Sequence, residues 1–193
     1  MNVKRTLLLC LVLAVGICPL AAYTITYSLN GTLGPNLNNG ADCLGLDNQS
    51  AVATAAVSST AKPTSTTKNS ATYTLPAGAV TATAGGLNFV STSPWKMVYK
   101  LTSTGDSLTL SGIGPLSSTV TANSALVVDS FPKTVLGSTG HPAPLGKSHS
   151  PQNLTSPASF LSYSDASLQC PTTTKLGFTG TASSNPANPT TGK

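Results

Sequence analysis

Charge is what this 193-residue sequence has least of: charged side chains make up 8% of it, and glutamate is absent altogether. That share is about a third of the usual one. Glu, Lys, Arg, Gln and Met normally build helical surfaces, so their scarcity leaves little material for an all-α protein. A mean hydropathy of +0.13 at so low a charge argues against a disordered polyampholyte. The acids are all aspartates: Asp42, Asp47, Asp106, Asp129 and Asp165. Most lie beside predicted turns, where an aspartate accepts hydrogen bonds from its own backbone. A glycosidase built on two opposed carboxylates finds poor material here. Histidine is nearly missing too. His141 and His149 share one Gly- and Pro-rich loop, GHPAPLGKSHS, which offers a triad no rigid support and a metal at best a weak hold. No G-x-S-x-G nucleophile elbow occurs.

The N-terminus carries the longest apolar run. Lys4 and Arg5 precede Leu7 to Ile17, a stretch too short to span a membrane comfortably, and Pro19 breaks any helix there. Residues 1–22 therefore read as a secretory signal cleaved after Ala22, which implies a secreted or cell-surface protein. Lipidation at Cys18 is disfavoured by the bulk of Ile17 before it. Removal of Lys4 and Arg5 lowers the formal charge from +5 to about +3. The remaining lysines are scattered and no arginine is left among them, so no nucleic-acid footprint exists. No membrane span is expected in the mature chain.

Past the signal, short alternating segments take over. Tyr23, Ile25, Tyr27 and Leu29 share one face, with Thr24, Thr26 and Ser28 on the other, as a half-buried strand requires. Asn30-Gly31 marks a turn, and Gly34-Pro35 begins a loop that runs through Asn38-Asn39-Gly40 to Cys43. Further strands are predicted over Ala51–Ser58, Ser70–Leu75, Ala79–Ala84, Leu87–Ser91, Trp95–Leu101 and Ser107–Ser111. Gly85-Gly86 is a two-residue hairpin signal. Ser118–Val128 makes one long strand or two short ones, and Ala61–Asn69 and Gly137–Ser159 read as loops. Phe160–Tyr163, Ser167–Cys170 and Lys175–Ala182 close the fold. The expected architecture is an all-β chain: one antiparallel β-sandwich or jelly-roll-like domain over residues 23–184, followed by a disordered tail over 185–193. The shortage of charge at strand edges leaves pairing between molecules open.

Few residues stand out as chemistry. Cys43 and Cys170 are the two cysteines left after the signal, an even pair in an oxidising compartment, and are expected to form a disulfide. A closed loop of ~127 residues would stabilise by about 5 kcal/mol in the chain-entropy model. Without CxxC spacing or a nearby histidine, these two thiols do not make a zinc site. Asp42, Asp47 and Asn48 offer oxygen ligands for calcium, but their spacing is not that of an EF-hand. No metal or other cofactor is expected. Trp95 and Tyr99 are the candidates for stacking on a sugar ring; they share a face with Met97 and Leu101, the pattern of core residues. Three N-x-S/T sequons, at Asn30, Asn48 and Asn153, are what a chain rich in Asn, Ser and Thr produces by chance.

The segments YTITYSLNGTLG, DxLGLxxQS (Asp42, Leu44-Gly45-Leu46, Gln49-Ser50), SATYTLPAGAVTATAGGLNF and LGFTGTASS together resemble small secreted bacterial exoproteins of the PEP-CTERM kind. The sequence departs from tailed members in lacking the Pro-Glu-Pro segment, apolar helix and basic cluster. The resemblance implies association with the envelope or extracellular matrix and no reaction. The expectation is a secreted, non-enzymatic structural or adhesive protein that meets polysaccharide or other surface proteins. The alternative is a carbohydrate-binding module that stacks polysaccharide on Trp95 and Tyr99.

Overall fold

The computed structural model describes residues 22–38, 42–103, 105–115, 121–131, 152–156, 158–165 and 170–186. Among the described residues twelve strands form: β1 (Thr24–Asn36), β2 (Ser50–Ser58), β3 (Ser65–Thr67), β4 (Ser70–Leu75), β5 (Val80–Ala84), β6 (Leu87–Val90), β7 (Trp95–Leu101), β8 (Asp106–Pro115), β9 (Thr121–Phe131), β10 (Gln152–Leu154), β11 (Phe160–Asp165) and β12 (Cys170–Pro186). All pair antiparallel, in the order β3-β4-β7-β8-β9-β11-β12-β1-β2-β5-β6, with β10 also on β12. The ladder folds over along the long β12, whose first half pairs with β11 and whose second half pairs with β1 and β10, so that β3-β4-β7-β8-β9-β11 faces β1-β2-β5-β6 as the two layers of a β-sandwich. Among the described residues no helix is long and apolar enough to cross a membrane.

The period-two alternation builds the core directly. Ile25, Tyr27, Leu29 and Leu33 of β1 point inward, as do Ala71, Tyr73 and Leu75 of β4 and Leu108 and Leu110 of β8. From β7, Trp95, Met97 and Tyr99 join them. Two aromatic contacts bridge the layers: Tyr27 meets Tyr99 edge-on at 6.3 Å between ring centroids, and Phe89 meets Trp95 at 5.1 Å. The Tyr27 and Tyr99 hydroxyls also hydrogen-bond to each other, so these buried phenols keep a polar partner. Opposite the large rings the inner row is small, with Ala51, Ala53 and Ala55 on β2 and Ala82 and Ala84 on β5. Room for the indole comes from Gly112, where a Cβ would overlap the Trp95 ring.

Three features differ from the sequence expectation. Asn30-Gly31 is no turn: β1 runs straight through it, because Gly31 opposes Gly180 of β12 so closely that a Cβ would overlap the Thr179 carbonyl. Glycine there permits close backbone approach, the other use of a residue that also marks turns. Ser65–Thr67 and Gln152–Leu154, read as loop, are short edge pieces whose backbones complete neighbouring ladders. β12 continues through Asn185 and Pro186, which pair with Thr26 and Ile25, so the ladder extends into the segment read as a tail. Residues 132–151, 166–169 and 187–193 lie outside the described residues.

Candidate functional site

The two aromatic candidates are core residues. Trp95 is 1% exposed and Tyr99 0%, so neither ring presents a face to a sugar, and the stacking platform loses both of its residues. The cause is the strand pattern itself: on β7 they alternate with exposed Lys96 and Lys100. His141 and His149 lie outside the described residues, as do the side chains of Asp129, Asp165 and Cys170.

The loop before β2 is organised by Asp42. Its Oδ2 accepts from the Asp47 N–H at 2.7 Å and its Oδ1 from the Tyr163 hydroxyl at 2.6 Å, tying the loop to β11. Burial pushes the Asp42 carboxyl up, but the Tyr163 hydroxyl and the backbone N–H groups of Asp47, Leu46 and Leu44 outweigh it and hold the carboxyl below its ordinary range. The same pair raises the Tyr163 phenol to about 12, through burial first and then through the hydrogen bond and charge of Asp42. Two tight backbone positions shape the loop, Gly45 at φ 63° and Asn48 at φ 60°. Leu46, 2% exposed, plugs it into the core. Both Asp42 oxygens are thus engaged in holding a loop. Among the described residues no group of three or more His, Cys, Asp or Glu gathers into a metal-ligating cluster.

The outer face of the β10-β12-β1-β2-β5-β6 layer is different in kind. Register places Asn153, Thr181, Asn30, Val52, Thr83 and Asn88 in one continuous row across six strands. A second row beside it holds Ser183, Ser28, Thr54, Thr81 and Val90. At 4.7–4.9 Å between strands, the longer row spans about 24 Å. All six of its side chains are exposed, and no residue in either row carries a charge. Neighbouring hydroxyls pair within the face, as Thr54 Oγ1 and Thr81 Oγ1 do at 2.7 Å. A groove of about 440 Å³ adjoins the Thr24 end of this face, lined by Thr24, Ala56, Ser58, Thr74, Pro76 and Ala79 with no titratable side chain. Such an arrangement offers hydroxyl and amide groups in a regular two-dimensional spacing.

Sequence reasoning passed over this face. Each strand shows outward Ser and Thr, but β1 and β12 meet across about 150 residues of chain, and no local pattern encodes which hydroxyl stands beside which. No family model, curated protein or solved structure matches the chain.

Proposed function

We propose that this chain is a secreted, non-enzymatic structural or adhesive β-sandwich protein of the cell surface or extracellular matrix. The observation that carries the reading is the broad, uncharged Ser/Thr/Asn face of the β10-β12-β1-β2-β5-β6 layer. Hydroxyls and amides in rows suit many weak hydrogen bonds to a repeating, hydroxylated polymer or to a like surface, where multiplicity supplies the avidity. The N-terminal signal supports export, and with it a disulfide between Cys43 and Cys170. That pairing is supported by the Asp42–Tyr163 hydrogen bond beside Cys43 and by the register that sets Cys170 opposite Asp165 on the same strand as Tyr163.

The test is retention on envelope and matrix material. Thr83→Lys and Thr181→Lys place strongly hydrated charges in the centre of the face without touching the core. The expected result is that wild type sediments with isolated envelope or extracellular polysaccharide and that the double variant stays in the supernatant. Equal retention of both, with the fold intact, would remove this face from the function.

A further inference from the structure

The hairpin β5–β6 ends the sheet, and its geometry determines which backbone groups face outward. Gly85 and Gly86 sit at φ 54° and 82°, the two positive values a type I′ turn demands. The flanking pair Ala84–Leu87 is therefore a hydrogen-bonded one, and pairs alternate from there. Ala82–Phe89 exchanges bonds across the hairpin, and the Ser91 N–H donates to the Val80 carbonyl at 2.8 Å in keeping with that alternation. Asn88 and Val90 consequently turn their N–H and C=O groups away from β5, and nothing among the described residues bonds them. The other end of the sheet is blunted: β3 has three residues and is bracketed by Pro63, Lys62 and Lys68. β6 has no such guard, since no charged residue occurs between Lys68 and Lys96.

A second observation lies directly beneath. Ala53, Ala82, Ala84 and Leu87 occupy inward positions yet keep partial exposure, so the gap between the layers is open along this edge. Two adjoining apolar cavities of about 50 Å³ each lie there, sharing Ala53, Ala82, Ala84 and Leu161. Val90, on the outer side of the same edge, is 49% exposed.

We propose that β6 is a self-association edge and that its partner is β6 of a second copy, paired antiparallel about a two-fold axis at Phe89. In that register Asn88 stands opposite Val90 of the second copy and the reverse, so the outward groups form four hydrogen bonds and leave none of the four on either strand unpaired. Leu87 of each copy, half-buried at the mouth of the gap, then lies beside the edge of the other and covers its opening. Uncharged strands meet without repulsion, which is what an isologous contact requires. Four-residue strands bury well under the ~1,600 Å² of a standard interface, so the contact is weak and forms where copies are concentrated. It uses the backbone edge of β6, where the two polar rows end on Asn88 and Val90, and it is read on the purified chain with no polymer present, so it stands whether or not that face binds anything.

The test is sedimentation velocity of the purified chain over a wide concentration series, with amide exchange read in parallel. Wild type is expected to climb reversibly toward twice the monomer mass, with exchange at Asn88 and Val90 slowing as it does. Val90→Lys, at a solvent-exposed position, should weaken association by roughly tenfold or more, equivalent to at least about 1.4 kcal/mol. Asn88→Pro removes one outward N–H without removing a bond to β5 and should act the same way. Thr66→Lys on β3 should leave association unchanged. Native Trp95 emission certifies each variant as folded, and if Asn88→Pro fails that check, Val90→Lys carries the test alone. A wild type that is monomeric throughout would overturn the proposal. So would association that survives Val90→Lys, or that responds to Thr66→Lys instead.

Discussion

Replacing Tyr163 with phenylalanine removes one oxygen and, with it, the tie between β11 and the Asp42 loop. The phenol is 1% exposed and donates to a carboxylate at 2.6 Å. Charge-assisted bonds of this kind contribute about 1.5–3 kcal/mol net, and the loss is compounded because Asp42 keeps its desolvation without its largest donor. A cost of about 2 kcal/mol lowers Tm by roughly 4–8 °C in a domain of this size. The pH dependence is the sharper arm. The folded phenol titrates at about 12 against an ordinary value of 10.0, so its contribution is full below pH 10 and disappears as pH rises through 12. Asp42 runs the other way: its folded value lies below the ordinary 3.8, so its contribution is present above that value and fades as pH falls through the lowered one. Urea denaturation of wild type and Tyr163→Phe across pH should show a plateau of difference at neutral pH that shrinks at both extremes. A difference under about 0.5 kcal/mol, the scale of an ordinary surface change, would refute the reasoning, as would one that is flat from acid to alkali.

Other outcomes follow from the packing. Gly31→Ala drives a Cβ into the Thr179 backbone and should destabilise by about 3 kcal/mol or more, read as a lower urea midpoint. Gly112→Ala should displace the Trp95 ring, shifting its emission to the red along with a cost of about 1–3 kcal/mol. Ala82→Val fills part of the apolar gap beneath β5 and should raise stability by about 1 kcal/mol, from two added carbons that are only partly buried and from better strand propensity. Reduction, or Cys43→Ser, should destabilise the fold by up to about 5 kcal/mol in the chain-entropy model, read as a strongly lowered Tm; an unchanged midpoint would remove the proposed bridge.

The core was written plainly in the sequence, and the face was not. Alternation at Tyr23–Leu29 and Trp95–Leu101 marked which side chains turn inward, because period two follows from the pleat alone. Gly85-Gly86 announced its hairpin for an equally local reason, since only glycine adopts two successive positive φ values at no cost. Gly31 misled because the same absence of a Cβ serves two ends, and the deciding contact, Gly180, lies far along the chain. β3 and β10 escaped notice since three-residue strands carry no periodicity. The row from Asn153 to Asn88 needs five pairing registers at once, and those are set by the packed core.

The measurement that bears most directly on the account is polysaccharide and envelope retention with Trp95 emission followed in the same sample. The account predicts a blue-shifted emission that soluble quenchers do not reach. On binding the emission stays fixed, and retention is lost in Thr83→Lys with Thr181→Lys. Saturable binding that shifts or quenches Trp95 and ignores both face substitutions would contradict it, placing the contact at the indole instead of on the hydroxyl rows.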